Sequence, residues 1–175
     1  MIKKDFDIEK HVNLKSYSDS PGWLGYYERR IRFSQTIMYE SIDKFIDFFR
    51  VISPNVSVVT SLYKFGLGDN EITPDQKELM EAGYLRDSLN ERFSFHKGVV
   101  WEIVRKLSSV VMYNEGDIAG HCFFILESSG LIAYPHDDTG FGFIAMDLKQ
   151  QAPKVVKSFL RLLIKGNPYL NLKYK

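Results

Sequence analysis

Tyr134-Pro-His-Asp-Asp-Thr-Gly140 sets one imidazole and two carboxylates in three consecutive positions, His136, Asp137 and Asp138. Groups of these types can ligate a metal, transfer a proton or pair with a cationic partner. Neighbours on one short loop rarely converge on a single ion, because metal sites draw ligands from several places in a chain. The remaining histidines, His11, His96 and His121, show no paired ligand spacing of the H-E-x-x-H kind. No metal and no cofactor is therefore expected. Turn chemistry explains the same letters: Asp137 and Asp138 bond local N–H groups, and Gly140 takes a positive φ. The flanks add something more. Tyr134, Phe141 and Phe143 bracket the acids, and Gly142 between two aromatics suggests a bulge or a close backbone approach. Acids held between aromatics suit a basic partner, since a carboxylate pairs bidentately with arginine. The candidate partner-binding residues are Tyr134, His136, Asp137, Asp138 and Phe141, joined by Trp23, whose place near a helix start beside Tyr26 and Tyr27 would leave it partly exposed.

Other chemistries find less support. Cys122 sits in the apolar run Gly-His-Cys-Phe-Phe, and on a strand its neighbour His121 faces the other way, so the two make no nucleophile–base pair. A buried structural thiol is expected there. Phe65-Gly-Leu-Gly-Asp lacks the third glycine and the Lys-Ser/Thr of a phosphate loop and reads as a turn. No G-x-S-x-G elbow is present.

The elements that must carry the loop follow from periodicity. Residues 1–20 read as a polar arm. Ser20-Pro21 signals a helix start, and Leu24, Tyr27, Ile31, Met38, Ile42, Phe45 and Phe49 recur at helical spacings up to Ser53-Pro54. Val56 to Tyr63 is rich in β-branched residues and predicts a strand. Thr73-Pro-Asp-Gln76 combines a capping box with a proline at the first helical position, and the helical pattern continues through Leu89 to about Phe93. After an interruption from Ser94 to Gly98 it resumes through Val100, Trp101, Val104, Leu107 and Val111. Three short strands follow, His121 to Leu126, Leu131 to Tyr134 and Phe141 to Met146, with turns at Glu127–Gly130 and Pro135–Gly140. A last helix runs from near Pro153 to a stop at Gly166-Asn-Pro168.

Helices, then a small sheet, then a helix: the predicted fold class is α+β, with N-terminal helices packed on a small antiparallel β-meander and closed by a C-terminal helix. The expected layout is one domain over 1–175, with an arm at 1–20, a mainly helical part at 21–112, the meander at 118–147 and the helix at 153–165. A hydrophobic share of 45% against 26% charged residues excludes a disordered chain. The formal net charge of +1 gives no global field toward nucleic acid or an anionic membrane. One cysteine, a charged N-terminus and no long apolar run predict a cytoplasmic protein without a membrane span.

Phe123-Phe-Ile-Leu126, Leu131-Ile-Ala-Tyr134, Asp137-Asp138, Gly140 and Phe143-Ile144 together form a strand, a turn, a strand ending in an aromatic, x-x-Asp-Asp-x-Gly and a third strand. The pattern resembles domains of bacterial polymorphic toxin systems that act as immunity proteins, including those paired with contact-dependent growth inhibition toxins. It covers the hairpin region only, and Thr139 stands where the pattern often has arginine. The resemblance implies a non-enzymatic protein that binds and neutralises a cognate toxin domain, a nuclease with a basic cleft being one such target. The alternative expectation is a small hydrolase or metal-dependent enzyme using His136, Asp137 and Asp138. That reading requires a distant titratable group to converge on His136.

Overall fold

The structure, a computed structural model, describes residues 6–29, 34–65, 72–89, 92–113, 117–147, 151–164 and 170–174. Its elements in chain order are β1 (Trp23–Arg29), α1 (Gln35–Ile52), β2 (Val56–Thr60), β3 (Tyr63–Lys64), α2 (Pro74–Glu81), β4 (Ser94–Val99), α3 (Trp101–Met112), β5 (Ile118–Ala119), β6 (Cys122–Leu126), β7 (Leu131–His136), β8 (Gly140–Ala145), α4 (Ala152–Ile164) and β9 (Leu170–Tyr174). Seven strands form one sheet in the order β4-β2-β6-β7-β8-β1-β9, and β3 and β5 form a separate pair. Every neighbouring pair in the large sheet is antiparallel. The fold is α+β. No described helix is long and apolar enough to cross a membrane.

The expected β6–β7–β8 meander is present, and it lies at the centre of a larger sheet than the three strands alone would make. Gly130 closes its first turn in the left-handed region at φ 63°. Thr73 caps α2 by accepting from the Gln76 N–H while the Gln76 side chain accepts from the Thr73 N–H. Helices α3 and α4 also follow the predicted periodicity, and α1 stops before Ser53-Pro54.

Three expectations fail. The helix expected from Ser20-Pro21 is strand β1, and α1 starts only after Ser34. The cause is a β-bulge: the register against β8 slips by one residue between Trp23 and Gly25, with Gly25 at φ 137°. The extra residue puts Trp23 and Tyr26 on one face and Leu24 and Tyr27 on the other. A period of two thus became the spacing of three that imitates a helix. The Ser20 hydroxyl does cap a backbone group, the Asn13 N–H, but in a turn. The second failure is the helix to Phe93. α2 ends at Glu81 because Gly83 adopts φ 78° and the Tyr84 N–H folds back onto the Leu79 carbonyl. The third is Ser94–Gly98, which is part of strand β4 rather than an interruption. The 21–112 region is therefore mixed, and β9 adds a further strand at 170–174. Ile31, most of the Phe65–Asn70 loop and the Gly166-Asn-Pro168 stop lie outside the described residues.

The central strands of the sheet are buried on both faces. Helices α1, α3 and α4 cover one, with Phe45, Phe49 and Phe159 packed on Tyr27, Phe141 and Phe143. Phe45 stacks on Phe141 at 4.0 Å between ring centroids. The N-terminal arm covers the other face. It is not merely a solvated tail: Ile8 and Val12 are buried in a second core with Trp23, Phe123, Ile132, Tyr134 and Ile144. Tyr17 packs edge-on against Tyr134 at 4.5 Å and its hydroxyl bonds His121 Nδ1 at 2.5 Å. Cys122 is buried on the helix-covered face and burial pushes its thiol pKa up, as befits an inert thiol.

His11, His96, His121 and His136 are each held below the ordinary imidazole value of 6.5, burial being the largest cause in every case. Such a group stays neutral in the folded chain while its unfolded counterpart takes up a proton. Its contribution is fully present above about pH 6.5 and is lost as pH falls toward the folded values. We expect the urea midpoint to be lower at pH 5 than at pH 7.5; an equal or higher midpoint at pH 5 would show that the imidazoles are not buried.

Candidate functional site

His136 is the last residue of β7 and Gly140 the first of β8, so the turn proper is only Asp137–Thr139. Pro135 and His136, expected in the loop, are paired strand residues opposite Phe141 and Gly140. The positive φ falls on Thr139, at 57°, and not on Gly140. A β-branched residue in the left-handed region is strained, so the turn is held by its surroundings rather than by its own preference. Thr139 is buried, and its carbonyl accepts from the Ser41 hydroxyl of α1 at 3.4 Å.

Gly140 is needed for a different reason. A Cβ there would lie 1.8 Å from the Tyr27 carbonyl oxygen, inside the β1–β8 contact. Gly142 answers a second question raised by the sequence. The body that approaches its backbone is the Tyr134 ring, whose Cζ would lie 2.0 Å from an added Cβ.

The aromatic flank is therefore internal. Phe141 is fully buried beneath α1, while Trp23 and Tyr134 keep only 6% and 5% of their surface exposed in the core beneath the N-terminal arm. Burial pushes the Tyr134 phenol pKa up to about 12. These three rings frame the site and do not offer contact area to a partner. Trp23 is on a strand, not near a helix start, which is why it is covered.

What is left outside is polar. Asp137 and Asp138 are exposed, and among the described residues neither carboxylate has a hydrogen bond or ion pair, so the local N–H bonds expected of them do not form. His136 is half-buried. Its Nε2 lies 3.0 Å from the Tyr27 carbonyl, which can only accept, so Nε2 carries the proton. Tyr26 packs edge-on against the same ring at 5.7 Å.

One residue that sequence reasoning missed joins them. Glu28 of β1 lies on the face opposite Tyr27, beside Gly140 of β8, and His136 of β7 pairs with that glycine from the other side. With no side chain at position 140, Glu28 and His136 face each other across the gap. Ligating atoms of Glu28, His136 and Asp138 all lie within 4.8 Å of one another. Asn171 of β9, the cross-strand partner of Glu28, donates from Nδ2 to Glu28 Oε1 at 2.5 Å. Nothing local marks Glu28: His136 bonds to its neighbour Tyr27 from 109 positions away in the chain. Only the strand order could have revealed it.

A groove of about 430 Å³ runs along α4 beside Leu24 and Tyr174, and none of Glu28, His136 and Asp138 lines it. The chain matches no known protein-family model, no curated protein and no solved structure.

Replacing Gly140 by alanine forces β8 away from β1 and is expected to cost about 1–3 kcal/mol, whereas Asp137→Ala changes stability by less than about 0.5 kcal/mol. Chemical unfolding of the two variants measures this. A Gly140→Ala protein as stable as the parent would contradict the β1–β8 contact.

Proposed function

We propose that the protein is a non-enzymatic, cytoplasmic binding protein that captures a cognate toxin domain, seating a basic part of it on the corner formed by Glu28, Asp137 and Asp138. One observation carries this reading: two exposed carboxylates, unpaired among the described residues, stand on a turn whose frame is fixed from below. The frame consists of the His136–Tyr27 bond, the glycine contact at position 140 and the buried Thr139. Carboxylates held this way lose little freedom on meeting an arginine or lysine, so the pairing is not spent on ordering the turn. Steering needs only this local patch, and the chain's near-neutral net charge of +1 does not oppose it. The hairpin's likeness to immunity domains of toxin systems gives the partner its class. A nuclease domain with a basic cleft suits the charge of the corner.

The test uses the product of the neighbouring reading frame as partner, with growth of co-expressing cells and pull-down as readouts. The parent protein protects the cells and captures the partner. Asp137→Lys combined with Asp138→Lys is expected to weaken capture by at least about 30-fold, as for the loss of a buried interfacial charge pair, and to abolish protection. Capture unchanged in that variant removes the corner from the interface. No capture by the parent removes the toxin reading.

A further inference from the structure

The geometry points to a divalent transition-metal site at Glu28, His136 and Asp138, with Zn²⁺ as the ion. This goes beyond partner capture and does not rest on it. His136 and Asp138 come from one hairpin, and Glu28 is the distant donor, brought to them by β1 from more than 100 positions away in the chain. Their ligating atoms already lie within 4.8 Å of one another. A tetrahedral ion with bonds of about 2.1 Å needs donor atoms about 3.4 Å apart. Closing a gap of 4.8 Å thus takes a shift of about 1.4 Å, within the reach of side-chain rotation.

Two outer contacts orient the donors as such contacts do in metal sites. The His136 ring donates from Nε2 to the Tyr27 carbonyl at 3.0 Å, which fixes the tautomer, so that Nδ1 is the nitrogen that would take the ion. The Asn171 amide holds Glu28 Oε1 at 2.5 Å and leaves Oε2 open. Gly140 lets the β1 backbone approach β8 closely at Tyr27 and Glu28, which brings Glu28 beside the hairpin. Two carboxylates balance the charge of a divalent cation. The imidazole selects a borderline transition ion over Ca²⁺ or Mg²⁺, which take oxygen donors. Three protein donors leave a fourth position for water or for a donor from a bound partner. Asp137 does not belong to the trio.

The experiment is calorimetric titration of chelator-treated, dialysed full-length protein with ZnCl₂ and, separately, with CaCl₂. One equivalent of Zn²⁺ binds and Ca²⁺ does not compete. Glu28→Gln and Asp138→Asn each weaken Zn²⁺ binding at least about 10-fold, while Asp137→Asn leaves it unchanged. Asp138 is exposed, so its variant keeps the fold, which circular dichroism verifies. No stoichiometric Zn²⁺ uptake by the parent overturns the site. So does uptake that Asp138→Asn and Glu28→Gln affect no more than Asp137→Asn. Partner capture repeated in chelator separates the two proposals: the ion can fail while capture stands, and the reverse.

Discussion

The pairing of β1 between β8 and β9 is the contact on which the rest of the molecule depends. β1 holds Tyr27 beneath the helices against Phe141, Phe143 and Phe159, and Trp23 and Tyr26 toward the arm. The same backbone supplies the Tyr27 carbonyl to His136 and sets Glu28 beside the hairpin. Gly140 and Gly25 exist to let it in: an added Cβ at either would strike the neighbouring strand, 1.8 Å from the Tyr27 oxygen and 2.2 Å from the Lys173 oxygen. Without β1 the hairpin would be an edge, its aromatics uncovered and its acids without a frame.

Coverage of both sheet faces decides which side chains are left to act. The helices take one face and the N-terminal arm the other, so the aromatics that make up 14% of the chain go mostly into two cores. Tyr134, Phe141 and Trp23 are spent on support. At the Glu28–His136–Asp138 corner, where β7, β8 and β1 run out beyond the core, polar groups emerge together. A corner of this kind is both acidic and rigid, and those two properties suit capture of a cationic group, whether a side chain or an ion.

Local physics was legible in the chain. The capping box at Thr73, the stop at Ser53-Pro54, the meander turns and the amphipathic faces of α3 and α4 each depend on residues a few positions apart. What was hidden depends on pairing across the sheet. The bulge at Gly25 gave a strand the spacing of a helix, and β4 owes its state to β2 rather than to its own composition. Gly142 could be recognised as a backbone approach, whereas Gly140 was expected at a positive φ; what approaches them, Tyr134 and Tyr27, is fixed by register. Thr139 carries the left-handed turn position against its own preference, which no propensity would suggest. Of the site, His136, Asp137 and Asp138 were visible as a cluster; Glu28 and Asn171 were not.

The position of β1 can be read directly by nuclear magnetic resonance. Cross-strand backbone Overhauser contacts should join Tyr27 to Phe141 on one side and to Leu172 on the other, as the registers require. Contacts from each residue to the third one ahead throughout 21–29, with the cross-strand set missing, would mean a helix there. Glu28 would then lie away from the hairpin and the corner would not exist.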